Sequence, residues 1–478
     1  MNIIAIAFTL VCCLSMFWVK REQKVALLIV GVLILAEVRV PVIPLHKANM
    51  LLPAFYLLSE YKYLKHHLLY VWRMPALHRL LLLVIFSTLL CAVTTRYIGI
   101  WSLIRAELLF KYFALAYAFC ATKNELTLKY MLRWSLWGLV VLTFFGIINL
   151  VEGRSEILNA LTEGRTSSIE EDVALGDVGM EDDRFRVRSM FHSPFDYGYI
   201  CAAMLLLHLH GFLRRFEPRW AFYVALTCSL FGIFASGCRT VWICSFMSVC
   251  CYYVWCFRPS RVVLGGMMVV VAFAVMYMTV PKVQEKVEQV TDIFSEHPDV
   301  KGSSLDMRLE QFAVVLVYIE GRELLGLGKG YYSTSYAENP DSVFGLRGVE
   351  SVILSVLLER GVIGLIFWAV FYIWIFNFFL ANRQRTKPLT GLGASILALY
   401  VLFAVGTGEL SSVYPSLLLL GFVMRGVDYE CKGEADGTES LIPLRHKALH
   451  VWTSAEMYIL KTLKSLESKI EDNKEDED

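Results

Sequence analysis

Arg186 and Arg188 close a long polar stretch in EDDRFRVRSMFHSP, and Arg239 occupies the short turn SGCRT between two apolar runs. Arg308 lies on the amphipathic segment SSLDMRLEQFAVVLVYIEG, and Glu350 with Ser351 stands directly before the apolar run VILSVLL. A guanidinium stays charged and offers a planar fork that takes phosphate oxygens two at a time. Arginines fixed around a diphosphate leaving group would stabilise the charge that develops as its bond breaks. Each arginine taken alone also reads as a headgroup contact or a surface salt bridge. A carboxylate beside lipid, such as Glu350, is partly desolvated, which raises its pKa toward that of a general base for an attacking hydroxyl. Its other reading is a helix N-terminal carboxylate favoured by the dipole. His192 has the same pair of readings, a base near neutral pH or a hydrogen-bonded interfacial imidazole. Lys111 stands four residues after Glu107, a spacing that pairs them, and otherwise lines a groove for a glycan or lipid phosphate. For Glu359, Arg360 and Gly361 a bend or a helix pairing is expected.

The elements that must position these groups follow from composition. The chain has 478 residues, 56% hydrophobic and only 19% charged, with a net charge of +1 and a mean hydropathy of +0.54. Apolar runs approach the roughly 20 residues that cross a bilayer as a helix, and lipid leaves no other way to satisfy their backbone. An all-α polytopic membrane protein with about 11–13 transmembrane helices is expected. Candidate spans fall near 3–19, 25–43, 47–61, 77–95, 99–121, 128–151, 192–213, 219–236, 240–257, 262–280, 351–380, 391–408 and 412–424. No basic block points to nucleic acid, and the twelve cysteines, mostly in apolar runs, show no metal-type spacing. Neither a Walker, a Rossmann nor a zinc motif is present, and Asp476–Asp478 sits in an acidic tail, so no cofactor is expected.

Lys20, Arg21 and Lys24, then Lys62, Lys65 and Arg73, Arg214 and Arg215, Arg258 and Arg261, and Arg383, Arg385 and Lys387 all fall on one side when the spans are counted. That side reads as the cytoplasm. The expected organisation is N-terminal helices over 1–151, an extracytoplasmic loop over 152–190 and central helices over 191–280. A large extracytoplasmic catalytic loop follows over 281–350, then C-terminal helices over 351–425 and a cytoplasmic tail over 426–478. The large loop opens on the amphipathic PKVQEKVEQVTDIF and contains Gly326, Gly328 and Gly330 at every second position.

Three patches resemble the O-antigen ligase and Wzy-type polymerase superfamily of bacterial surface-polysaccharide assembly. RVRSMFHSPFDYG at 186–198 is similar to the family's R-x-x-G-x-F-x-x-P-N-x-x-G, and SGCRTVW at 236–242 to its S-x-S-R-T-x-W. Leu354, Leu357, Gly361 and Gly364 fall in the Leu and Gly positions of the helix after the long loop. The resemblance implies a GT-C-like, metal-independent and nucleotide-independent inverting glycosyltransferase of the bacterial inner (plasma) membrane, with its active site on the extracytoplasmic face. Its substrate would be a polyprenyl-diphosphate-linked glycan, held by arginines and activated by a residue at the loop's end. Chain-length regulators and flippases would be its partner proteins. The family's His-Asn pair is replaced here by Glu350 and Ser351, its glycine by Ser189, and its asparagine by Phe195. The missing histidine shifts the expectation from ligase to polymerase, with Glu350, Arg186 and Arg308 as the catalytic group and Arg188, Arg239, Lys111 and His192 binding substrate. Ligase-type transfer, a flippase or transporter, and a non-catalytic scaffold are the alternatives.

Overall fold

The computed structural model describes residues 3–35, 48–63, 75–100, 102–103, 124–152, 186–191, 193–257, 305–338, 351–408 and 415–432. Every regular element among them is helical. The N-terminal part contains α1 (Ile3–Ser15), α2 (Arg21–Leu35), α3 (Ala48–Ser59), α4 (Pro75–Thr94) and α5 (Asn124–Glu152). A central group follows: α6 (Pro194–Leu213), α7 (Arg219–Ala235) and α8 (Arg239–Cys256). Then come α9 (Leu305–Tyr318), the short α10 (Tyr331–Glu338), α11 (Val352–Asn382), α12 (Lys387–Thr407) and α13 (Ser416–Lys432). Among the described residues, α4, α5, α11 and α12 contain stretches long and apolar enough to cross a membrane. The chain is an all-α polytopic membrane protein.

The central helix is α6, packed against α5, α7, α8 and α12. Its start is specified locally: Ser193 caps it, accepting from the Phe195 N–H at 3.1 Å, and Pro194 fills the first turn where no amide is needed. Small residues let the backbones close up. A Cβ on Gly198 would meet Ser236 Oγ at 2.8 Å, and one on Gly232 would meet Cys201 Cβ at 3.1 Å. Beside them α8 and α12 run antiparallel. Gly406 lies against Thr240 at one end, and Trp255 Nε1 donates to Thr390 Oγ1 at 3.1 Å at the other.

Antiparallel pairing sorts the connections onto two ends. One end holds several of the described basic groups: Arg21 and Lys24 on Glu60, both at 3.0 Å, Arg214 on Glu430 at 3.1 Å, and Arg383 over the Trp255 ring. The opposite end contains the starts of α6, α8, α11 and α13 and the ends of α4, α5, α7 and α12. There Tyr199 on α6 donates to Ser416 on α13 at 2.8 Å. The last helix continues to Lys432, past the expected limit at 425, with Arg425 and Asp428 buried inside it. Most of the candidate span at 99–121, the span at 262–280, most of the first polar loop, PKVQEKVEQVTDIF and the tail beyond 432 lie outside the described residues.

Candidate active site

The segment 186–191 is tied down on both sides by its own backbone. Val187 N donates to Ala235 O at the end of α7 (3.0 Å), and Arg188 N donates to Asn149 Oδ1 at the end of α5 (3.0 Å). Ser189 holds a left-handed backbone, φ 51°, in the position where the resembling family has glycine, and its hydroxyl donates to Leu142 O. The turn after α7 completes the arrangement. Ser236 Oγ donates to Ile233 O and accepts from Cys238 N, while Trp242 Nε1 donates to the same Ile233 carbonyl at 2.8 Å. Gly237, at φ 65°, lies beneath the stem of Arg186, whose Cγ would be 3.2 Å from an added Cβ. Arg239 then opens α8. Arg186, Arg188 and Arg239, far apart in sequence, therefore share one hydrogen-bonded corner of the bundle, each half-buried.

Asp196 belongs to the same end and was not singled out from the sequence. Its side chain is buried in the first turn of α6. The signal was there in Ser193-x-x-Asp196, the spacing of a capping box, in a place where a helix N-terminus favours an acid.

The second half of the site is built around a break in α11. Gly361 has φ 63° and ψ −165°, so the helix stops and restarts there. The loop after α9 fills the gap. Leu327 N and Gly328 N donate to Leu358 O and Glu359 O, at 2.9 and 3.0 Å, and Val362 N and Ile363 N donate back to Glu323 O and Leu324 O. Four backbone groups at the break thus gain partners from one loop. The carboxylate of Glu359 finishes the clasp, accepting from Gly330 N at 2.9 Å and pairing with Lys329 Nζ at 3.0 Å. Thr95, just after α4, donates to Lys329 O. Two backbone amides, its own and that of Gly321, hold the exposed Glu323 carboxyl below the usual carboxylate range. The bend expected at Glu359–Gly361 is present, and the three alternate glycines have their reason. Gly326, Gly328 and Gly330 all have positive φ, and a Cβ on Gly326 would lie 2.6 Å from Gly361 N.

The clasp also orients α9. Val315 and Ile319 pack with Leu354, Leu357 and Leu358 in a separate apolar cluster. The C-terminal part of α9 thereby lies against the first turns of α11, and Arg308 falls on the first turn of α9. Ser351 caps α11, accepting from Ile353 N. Only the backbone of Arg308 is described. Glu350, His192 and Lys111 lie outside the described residues.

Residues 222–369 match the family model described as O-antigen ligase. This segment resembles an O-antigen ligase domain. No curated protein matches the chain. The domain takes in the SGCRT turn, the clasp and the first half of α11, while Arg186 and Arg188 precede it and are brought to it by the Val187–Ala235 bond. The match supports a relationship to the O-antigen ligase and Wzy superfamily.

A serine, histidine and carboxylate also meet in line in the bundle. His208 lies 3.0 Å from Ser135 Oγ and 2.8 Å from Glu217 Oε2. The imidazole is fully buried and sits toward the basic end of the bundle, away from the arginine corner of the O-antigen ligase domain. It satisfies polar groups between α5, α6 and the following turn.

Proposed function

We propose that this protein polymerises lipid-linked oligosaccharide repeat units into a surface polysaccharide, on the extracytoplasmic face of a bacterial inner membrane. The donor is a growing glycan on a polyprenyl diphosphate, and the acceptor is a shorter lipid-linked unit. An acceptor hydroxyl attacks the anomeric carbon of the donor, its proton passes to Glu350, and the bond from that carbon to the diphosphate oxygen breaks. One displacement inverts the anomeric centre, and the lipid diphosphate leaves with both bonding electrons on oxygen. Arg186, Arg188 and Arg239, with Arg308 from α9, bind that developing charge through bidentate forks. No step calls on a metal or nucleotide. The observation that best supports this reading is the convergence of three arginines on one hydrogen-bonded corner of the bundle, beside the segment that matches the O-antigen ligase family.

The test is glycan transfer by the purified protein from a lipid-diphosphate donor. Arg186→Ala or Arg308→Ala should each lower the rate about 100-fold or more, and Arg308→Lys should recover little, since a point charge does not replace the fork. Glu350→Gln should cut turnover while donor binding persists. Near-normal turnover in Glu350→Gln, with loss in His192→Ala, would make His192 the base instead. Ligase-type transfer to another acceptor is the second reading, favoured by the description of the matched family. A single glycan added per acceptor, in place of a ladder of lengths, would select it.

A further inference from the structure

At the basic end of the bundle Arg21, Lys24 and Arg214 have acids, and Arg383 has a ring. The turn between α6 and α7 is different. Arg215 and Arg219 there, and Lys129 and Arg133 one turn apart on α5, are exposed. None of these four has an ion pair among the described residues. Two contacts hold α5 against this turn. Lys129 Nζ lies 5.6 Å from the centre of the Phe216 ring, which also has the Arg214 guanidinium at 5.5 Å. Leu132 packs under Gly211 at the end of α6, where an added Cβ would stand 2.6 Å from its Cδ1. Arg215 has a left-handed backbone, φ 57°, so an arginine is kept where glycine would sit with less strain.

The acid within the turn is withdrawn from these cations. Glu217 points inward, its side chain 4% exposed, with Oε2 2.8 Å from His208 Nδ1. The buried line of Ser135, His208 and Glu217 thus keeps a carboxylate out of the patch. Glu430 is taken by Arg214, and Glu125 is the exposed acid on the first turn of α5. Positive charge therefore prevails at this corner. Large aromatic side chains flank it: Trp137 one turn beyond Arg133, and Trp220 and Tyr223 at the start of α7, all exposed. Tryptophan and tyrosine collect where acyl chains meet headgroups, which sets the depth of the cations beside them. A soluble acidic partner has no use for those rings, and one phosphate leaves much of the charge unanswered.

We infer that this corner seats an anionic phospholipid with two phosphates in its head, its acyl chains against Trp137, Trp220 and Tyr223. Arginine forks take the phosphate oxygens, and basic clusters beside spanning helices hold such heads. The seat lies at the opposite end from the arginine corner and goes beyond glycosyl transfer. Its occupant braces α5 and α7, whose far ends hold the segment 186–191 through Asn149 and Ala235.

The experiment counts lipids on the full-length protein by native mass spectrometry with added cardiolipin, a lipid with two phosphates. Wild type should hold one cardiolipin more tightly than phosphatidylglycerol or phosphatidylcholine. Arg133→Gln combined with Arg215→Gln should weaken that site roughly thirtyfold, the product of two such contacts. Arg79→Gln combined with Arg385→Gln removes two exposed charges elsewhere at the same end and should leave it unchanged. Equal weakening in both pairs would mean that net charge alone attracts the lipid, and equal retention of phosphatidylglycerol would remove the need for two phosphates. Either result overturns the inference. Photo-crosslinking of wild type with a diazirine-bearing cardiolipin gives a readout that does not depend on how the variants fold. Adducts on residues 129–137 or 214–223 support the seat, and adducts confined to other segments overturn it.

Discussion

Two residues with unusual backbone angles support the two halves of the site. At Ser189 the left-handed conformation costs roughly 1–2 kcal/mol relative to an ordinary one, and the hydroxyl bond to Leu142 O returns about 1 kcal/mol. Ser189→Gly trades one against the other, so its melting temperature in detergent should stay close to wild type. Ser189→Val loses the bond and adds a branched side chain, and should destabilise the arginine corner by about 1–3 kcal/mol. Gly361 has no such alternative. Its φ and ψ belong to glycine alone, and an added Cβ would lie 2.5 Å from Leu324 O. Gly361→Ala should therefore cost about 3 kcal/mol or more, read as a lower melting temperature and faster proteolysis of the 320–330 loop. Part of this was legible in the sequence. Glycines at 326, 328, 330 and 361 are visible marks of positions needing positive φ, and arginines at apolar boundaries announce themselves. What left no mark is the pairing across the break. Nothing in Glu359 or Gly330 alone says that the carboxylate of one will bond the amide of the other, because that contact is made by the fold.

Among the elements, α9 has the most specific task. It carries Arg308, and it is secured through Val315 and Ile319 on Leu354, Leu357 and Leu358. Leu357→Ala removes buried volume worth about 2–5 kcal/mol, enough to loosen α9 without touching an arginine. Turnover should fall toward that of Arg308→Ala, while binding of one lipid diphosphate at the arginine corner persists; normal turnover would mean that α9 does not position Arg308. The helices were readable where apolar runs are long, as in α4, α5, α11 and α12. The helix α13 continues past Arg425 to Lys432. In the structure the Arg425 guanidinium lies 4.1 Å over the Tyr429 ring and 3.7 Å from Asp428. Partners three and four residues on let the charge stay inside the helix. The break in α11 was expected only as a bend, since its cause lies in a loop some thirty residues earlier in the chain.

At the scale of the molecule, the sorting of charged and site-bearing ends gives a direct test. Reporter fusions near 239 and 320 should fall on one side of the membrane and those near 216 and 385 on the other; a mixed pattern would separate the arginine corner from α9. The break in α11 also makes the protein a gauge of its surroundings. Beyond Gly361 the helix has twenty-one residues, Val362–Asn382, and α12 also has 21. At 1.5 Å per residue each is about 31 Å long, close to the roughly 30 Å of a bilayer's hydrocarbon. The clasp therefore rides at the rim of the oily layer, held there by the length of the helices beneath it. A thicker or thinner bilayer strains such helices by a fraction of a kcal/mol per ångström, and the break in α11 lies beside the site. Transfer in vesicles whose acyl chains run from about 14 to about 22 carbons should peak at matched thickness and decline on both sides. The membrane's own composition would then set the pace of polymer growth, with no effector bound.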